Sequence, residues 1–323
     1  MSPVESAFAG LLSPIVLCFV LGAAAVLLRS DLKLPPQIFE GLTIYLMLAI
    51  GLKGGVQLRE ADLAAIAPYA VIALTLSIAI PVWSFLVLHR VMRLSLTDAA
   101  ALAAHYGSVS AVTFMTALAI LDAVGIEYEG FAPALLAIME APGILVALGL
   151  ARLGTPQQRP GAMKRLLAEV VSGKSMLLLV GGLGMGCAVG NSGFAAARPF
   201  FVDLFPGALC LFLLELGRLA ALGASELRQV GGRIAAFAVG APLVHGLLGV
   251  ALGAAADLSL GGTIVLATLA ASASYIAAPA AVRTALPEAN PALFLTASLA
   301  VTFPFNLAIG IPLFVAASRM ILP

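Results

Sequence analysis

Ala103-Ala104-His105-Tyr106-Gly107-Ser108-Val109-Ser110-Ala111-Val112-Thr113 and Ala270-Ala271-Ser272-Ala273-Ser274-Tyr275-Ile276-Ala277-Ala278-Pro279 decide how this chain folds. Each lies in the middle of a long apolar run. A plain lipid-facing helix would carry Leu and Ile there; these stretches carry Gly, paired Ser and small residues. Pro279 lacks an N–H and clashes with the preceding turn, so it is expected to kink or break the second run. Backbone freed from a helix at membrane depth is tolerated only where it lines a cavity or protein interior.

A broken helix exposes the N-terminus of its second half, where free N–H groups and the positive end of the dipole point. Two such ends brought together form an anion site without Arg or Lys. Serine hydroxyls add donors. The candidate anion-binding residues are Ser108, Val109, Ser110, Ala111 and Thr113 from one run, and Ser272, Ala273, Ser274 and Tyr275 from the other. Either run alone reads equally as small residues that let helices pack closely. Their matching positions in the two halves favour a site.

The surrounding composition is that of a membrane protein. Of 323 residues, 62% are hydrophobic and 10% charged, against about 25% charged in soluble domains. Apolar runs long enough to cross a bilayer recur throughout. Ten spans are expected, at 9–28, 38–53, 64–88, 98–121, 131–151, 174–190, 200–222, 232–256, 261–283 and 293–318. The N-terminal segment has no basic n-region or convincing cleavage site, so 9–28 reads as a retained span. Cys18, Cys187 and Cys210 are scattered in apolar runs without a CxxC pair, and read as buried thiols. Seventeen Lys and Arg balance 16 Asp and Glu, and no basic stripe suggests nucleic acid.

The longest polar segment, 152–173, carries Arg152, Arg159, Lys164, Arg165 and Glu169 and divides the chain into 1–151 and 174–323, five spans each. With the N-terminus outside, twelve of the 17 basic residues fall in inner loops; Lys53, Arg59, Arg198 and Arg319 fall outside. Both termini are therefore expected outside and the central loop in the cytoplasm. Ser108-Val109-Ser110 followed by Glu140-Ala141-Pro142 matches Ser272-Ala273-Ser274 followed by Thr302-Phe303-Pro304. An odd-numbered repeat must invert, so the expected fold is an all-α polytopic protein of two inverted five-helix repeats.

Ionisable residues inside spans are functional suspects. Glu140, beside Pro142, could ligate a cation or carry a proton, or else satisfy freed N–H groups. Glu140, Ser110 and Ser274 form the candidate cation-coupling set. Glu215 and Arg218 share a helical face and are expected to pair. His105 and His245 are relay candidates or interhelical hydrogen-bond partners, and Asp98 reads as a helix cap. Gly182, Gly186 and Gly190 favour close helix contact, internal or between subunits. GxSxG, HExxH and GxxxxGK[ST] are absent, so a membrane serine hydrolase built on Ser110 or Ser274 with His245 has no local motif behind it. A carrier of an organic anion and a passive channel are the other readings; broken helices at the midplane suit an occluded site better than an open pore.

At these residues the chain resembles the sodium-dependent bicarbonate permeases best known from cyanobacteria, over nearly its whole length. The matching pieces include Ile50-Gly51-Leu52-Lys53-Gly54-Gly55, Met139-Glu140-Ala141-Pro142, Ser225-Glu226-Leu227-Arg228, Ala241-Pro242-Leu243-Val244-His245-Gly246, Pro287-Glu288-Ala289-Asn290-Pro291 and the two Ser-rich stretches. The resemblance implies core and gate domains in elevator motion, a homotrimer in a bacterial inner membrane, bicarbonate held between the two breaks, and a coupling sodium ion. The cyanobacterial pattern has Ser-Ser-Ser-Asp where this chain has Ser272-Ala273-Ser274-Tyr275, and Gly-Pro-Pro where it has Ala278-Pro279-Ala280. Leu219 stands where an acidic residue is expected. The family's Asp at Glu140 leaves a carboxylate in place, so sodium coupling rests on Glu140, Ser110 and Ser274. The central loop is shorter than in cyanobacterial members, which argues against a PII-like regulator.

Overall fold

The computed structural model describes residues 12–153, 162–224 and 231–322, and these are helical with short connections. The segment before Leu12, Arg159 and the Ser225-Glu226-Leu227-Arg228 motif lie outside the described residues. In chain order the helices are α1 (Pro14–Leu27), α2 (Pro36–Glu60), α3 (Leu63–Leu86), α4 (Leu96–Gly107), α5 (Ala111–Ala123), α6 (Ala132–Glu140), α7 (Pro142–Leu153), α8 (Ala162–Val171) and α9 (Lys174–Phe194). They continue with α10 (Phe205–Ala224), α11 (Gly232–Ala255), α12 (Leu260–Ala271), α13 (Ala277–Ala285), α14 (Pro291–Leu295), α15 (Phe303–Phe305) and α16 (Ile311–Ile321). Wide π-helical turns extend α3 through Val87–Val91, precede α10 at Pro199–Asp203, and join α14 to α16 at Thr296–Thr302 and Asn306–Gly310.

Eight helical stretches among the described residues are long and apolar enough to cross a membrane, which makes this a multi-pass membrane protein. α1 and α12 are shorter apolar helices of 14 and 12 residues. α12 is short because the ninth apolar run stops at Ala271 and resumes at Ala277. α2 runs to Glu60, beyond the expected end at 53, because its polar last turns stay helical past the apolar stretch.

The interrupted segments lie at the centre. The most apolar 18-residue window of Leu96–Ala123 is 89% buried, against 33–50% for the other seven stretches, so this run faces protein, not lipid. Ala99 to Ala104 are fully covered, and Gly261 to Ala271 are buried throughout α12. Small side chains make this possible by letting neighbouring backbones approach closely. α4 packs against α3 and α7, and α12 against α11, α16 and α5.

α2 packs along α9, and α1 along α10. Gly182 and Gly186 serve the first of these contacts: a Cβ on Gly182 would come within 2.9 Å of the Gly51 Cα, and one on Gly186 within 2.3 Å of the Leu52 carbonyl oxygen. The glycine pattern is thus internal packing. Gly190 is a kink in α9 with φ 61°, wrapped by Arg59, whose Nη1 donates to the Cys187 and Ala188 carbonyls at 3.1 and 2.9 Å. Gly182→Leu is expected to overpack this contact by roughly 1–3 kcal/mol, lowering the detergent melting temperature by several degrees. Gly181→Leu, where an added Cβ meets nothing within 4 Å, should melt like the parent. Equal melting of the two variants would contradict the packing assignment.

Glu215 and Arg218 pair as the spacing predicts, the guanidinium Nε donating to both carboxylate oxygens at 3.1 and 3.0 Å. The Leu34 amide adds a 3.0 Å hydrogen bond to the same carboxylate.

Candidate functional site

Both first half-helices start the same way. Ser95 caps α4, its Oγ accepting from the Asp98 amide at 3.0 Å, and Ser259 caps α12, accepting from the Gly262 amide at 3.0 Å. The cap of α4 is therefore Ser95, not Asp98. Asp98 is its partner three residues on, taking a hydrogen bond from the Ser95 hydroxyl at 2.8 Å and one from the Asn290 amide at 2.9 Å. Both half-helices are 12 residues long and end at a Ser-x-Ser sequence.

The first break has local causes. An added Cβ on Gly107 would lie 2.6 Å from the Pro81 ring, and one on Gly143 would lie 1.9 Å from the Gly107 carbonyl oxygen. Three elements thus meet at a point where no side chain fits. Ser108 and Ser110 then take extended conformations, and Ser110 caps α5 by accepting from the Thr113 amide at 3.2 Å. In the second break Ser272 is extended, and Ser274 Oγ accepts from the Ala278 amide at 3.2 Å. The second run is interrupted at 272–276, in the turn preceding Pro279, as its clash with that turn predicts; Pro279 itself sits in the first turn of α13, where an N–H would have no helical partner and its ring is tolerated.

The two breaks join directly. The Ser110 amide donates to Ser272 Oγ at 2.8 Å, and the Ser274 amide donates to the His105 carbonyl at 2.8 Å. Freed carbonyls find donors as well. Leu269 receives Ser272 Oγ at 2.8 Å, Ala271 receives Asn306 Nδ2 at 2.8 Å, and Glu140 receives Ser108 Oγ at 2.8 Å. Such pairing is what holds non-helical backbone in an apolar interior.

Between the breaks lies a pocket of about 10 Å³, lined by Val109, Ser110 and Ala111 from one side and Ser274, Tyr275, Ile276 and Ala277 from the other. That volume is room for about one water-sized centre. Ala111 and Ala277 are the first residues of α5 and α13, so two helix N-termini open onto it. Glu140, Ser175 and Met47 complete the wall. The Glu140 carboxylate is 5% exposed; one oxygen accepts from the Ser175 hydroxyl and the other, Oε2, has no hydrogen-bond partner. The Tyr275 hydroxyl reaches Ser110 and Thr113 at the start of α5 without closing a regular hydrogen bond there, and its ring meets Phe303 edge-on at 5.6 Å.

Of the residues expected from sequence, Val109, Ser110, Ala111, Ser274, Tyr275 and Glu140 line the pocket. Ser108, Thr113, Ser272 and Ala273 stand behind it. The Ser108 and Ser272 hydroxyls are spent on backbone carbonyls, Thr113 contributes its amide to the Ser110 cap, and Ala273 is packed in the core. His105 and His245 do not line it. His105 bonds the Ala101 carbonyl through Nδ1 at 2.7 Å and stacks on Phe294, and His245 packs edge-on against Trp83. Sequence reasoning missed Met47, Ser175, Ile276 and Ala277. The last two adjoin Tyr275 and were within reach; Met47 and Ser175 come from α2 and α9 and carry no local signal.

A multi-pass membrane protein whose buried centre joins two interrupted helices around a carboxylate has the build of a transporter. The model of the Na+-dependent bicarbonate transporter superfamily matches residues 14–319, and the chain belongs to that superfamily. This is a family of transporters, so the protein is not an enzyme. No curated protein matches the chain.

Proposed function

We propose that this chain imports bicarbonate by sodium symport, with the anion held between the N-termini of α5 and α13. The observation that carries the reading is the pocket itself: two helix N-termini, the Ser110 and Ser274 side chains and the Glu140 carboxylate converge on one buried space. Amide-rich helix ends favour negative charge. The unpartnered Glu140 oxygen, with Ser110 and Ser274, offers the hard oxygen donors a sodium ion takes. The substrate set is Ser108, Val109, Ser110, Ala111, Thr113, Ser272, Ala273, Ser274 and Tyr275, with the pocket-lining members in contact and the others holding the breaks in shape.

Two inverted five-helix repeats, 1–151 and 174–323, joined by the basic loop 152–173, give ten spans. The matching caps Ser95 and Ser259 and the matching 12-residue half-helices support that arrangement. So do the pairings of α2 with α9 and α1 with α10, each across the two halves. Those four helices form the gate, and the helices around the breaks form the core that moves against it as an elevator. The protein works as a homotrimer in a bacterial inner membrane, both termini outside.

A small anion requires the pocket to open less than a larger organic acid would, which puts bicarbonate first. In a thermal-shift titration of the purified protein at fixed pH with sodium present, bicarbonate should raise the melting temperature saturably, and acetate or citrate at equal ionic strength should not. Stabilisation by citrate but not bicarbonate would replace the substrate assignment.

A further inference from the structure

The last turns of α3 border a second cavity, of about 320 Å³, inside the range of about 300–1,000 Å³ typical of ligand sites. Its walls are Val82, Phe85, Leu86, Leu96 and Leu150. Its rim is His89 and Arg90, in the wide π-helical turn Val87–Val91. His89 is held in place, its Nδ1 on the Leu94 carbonyl at 3.0 Å and its ring stacked on Phe85. Arg90 is exposed, as are Arg93 and Arg233 close by; Arg233 Nη2 donates to the Val91 carbonyl at 2.8 Å. Among the described residues none of these three arginines has a carboxylate partner.

The order of these groups follows the depth of a bilayer. The membrane-crossing stretch ends at Val91, so the arginines sit at headgroup level and the apolar walls run inward at acyl level. We propose that this groove binds one anionic phospholipid, its phosphate on Arg90 with Arg93 and Arg233 alongside, and one acyl chain lying along Val82, Phe85, Leu86 and Leu150. Charge complementarity selects this occupant: clustered guanidinium groups at a helix end attract an anionic headgroup, and Arg suits phosphate oxygens by its planar fork. The walls also give the lipid a structural consequence. Leu96 opens α4 and Leu150 lies near the end of α7, so a seated chain braces the base of the interrupted helix. The inference does not depend on which solute is carried.

The test is a thermal-shift titration of the full-length protein, delipidated in detergent, with phosphatidylglycerol. Phosphatidylcholine of the same acyl chains and inorganic phosphate are the comparison arms. Phosphatidylglycerol should raise the melting temperature saturably while the other two shift it little. Arg90→Gln should weaken the apparent affinity about five-fold, the size of one basic contact to an anionic lipid, and Leu150→Trp should weaken it by filling the groove. Arg198→Gln, on a different helix turn, should bind as the parent does. Equal stabilisation by phosphatidylcholine, equal stabilisation by phosphate alone, or unchanged affinity in both Arg90→Gln and Leu150→Trp would overturn the proposal.

Discussion

Ser110→Leu and Ser274→Leu should each abolish bicarbonate uptake, by more than about 100-fold, while the protein still inserts and purifies as a monodisperse species. Several losses coincide at these positions. The pocket offers about 10 Å³, and either leucine side chain would occupy it. Ser110 also caps α5 through the Thr113 amide and Ser274 caps the start of α13 through the Ala278 amide; removing a cap costs about 1 kcal/mol. A hydroxyl donor to the anion is lost as well, and hydrogen bonds to charged groups contribute about 1.5–3 kcal/mol. The alanine variants differ only in leaving the pocket unfilled and lose the same cap and hydroxyl donor, so Ser110→Ala and Ser274→Ala should lose uptake roughly ten-fold, in line with one such contact. Full activity in both leucine variants would place the anion elsewhere.

Glu140→Gln should raise the half-saturating sodium concentration at least about ten-fold, with the bicarbonate-induced thermal shift still measurable when sodium is saturating. The carboxylate is buried and keeps one oxygen free for a ligand. Gln can still bond Ser175 but carries no charge. A unit charge pair at 4 Å is worth about 4 kcal/mol at an effective dielectric constant near 20, and part of that is returned because the neutral side chain no longer has to be desolvated. The net loss should still exceed about 1.4 kcal/mol, which is ten-fold in affinity. Unchanged sodium dependence would make Glu140 a structural group that anchors Ser175 and, through its own carbonyl, Ser108.

How much of this was legible in sequence depends on the range of the signal. The apolar runs and both Ser-x-Ser stretches are local features; helices occupy the runs, and the first half-helices stop at the Ser-x-Ser stretches. Glu140 stood out because a charge inside an apolar run is costly. Pro279 is a local signal too: the run is interrupted in the turn before it, and in the first turn of α13 its missing N–H costs nothing. Asp98 reads as a cap by residue type, but Ser95, equally good by type and three residues earlier, is the one that accepts from the Asp98 amide. What was not legible depends on distant helices. Gly107 marks the break because Pro81 and Gly143 close on it, and Ser175 enters the pocket wall from α9 by bonding Glu140. No periodicity within one helix encodes those meetings. The π-helical turns between Thr296 and Gly310 were also invisible, since their sequence is that of an ordinary apolar span.

The most direct measurement is uptake of radiolabelled bicarbonate into proteoliposomes holding the purified protein, with an inward sodium gradient, with potassium in its place, and with the gradient dissipated by an ionophore. Accumulation above the external concentration should appear only with the inward sodium gradient and vanish in Ser274→Leu. Uptake that ignores sodium would contradict the symport account, and absence of uptake under every gradient would contradict bicarbonate as the cargo.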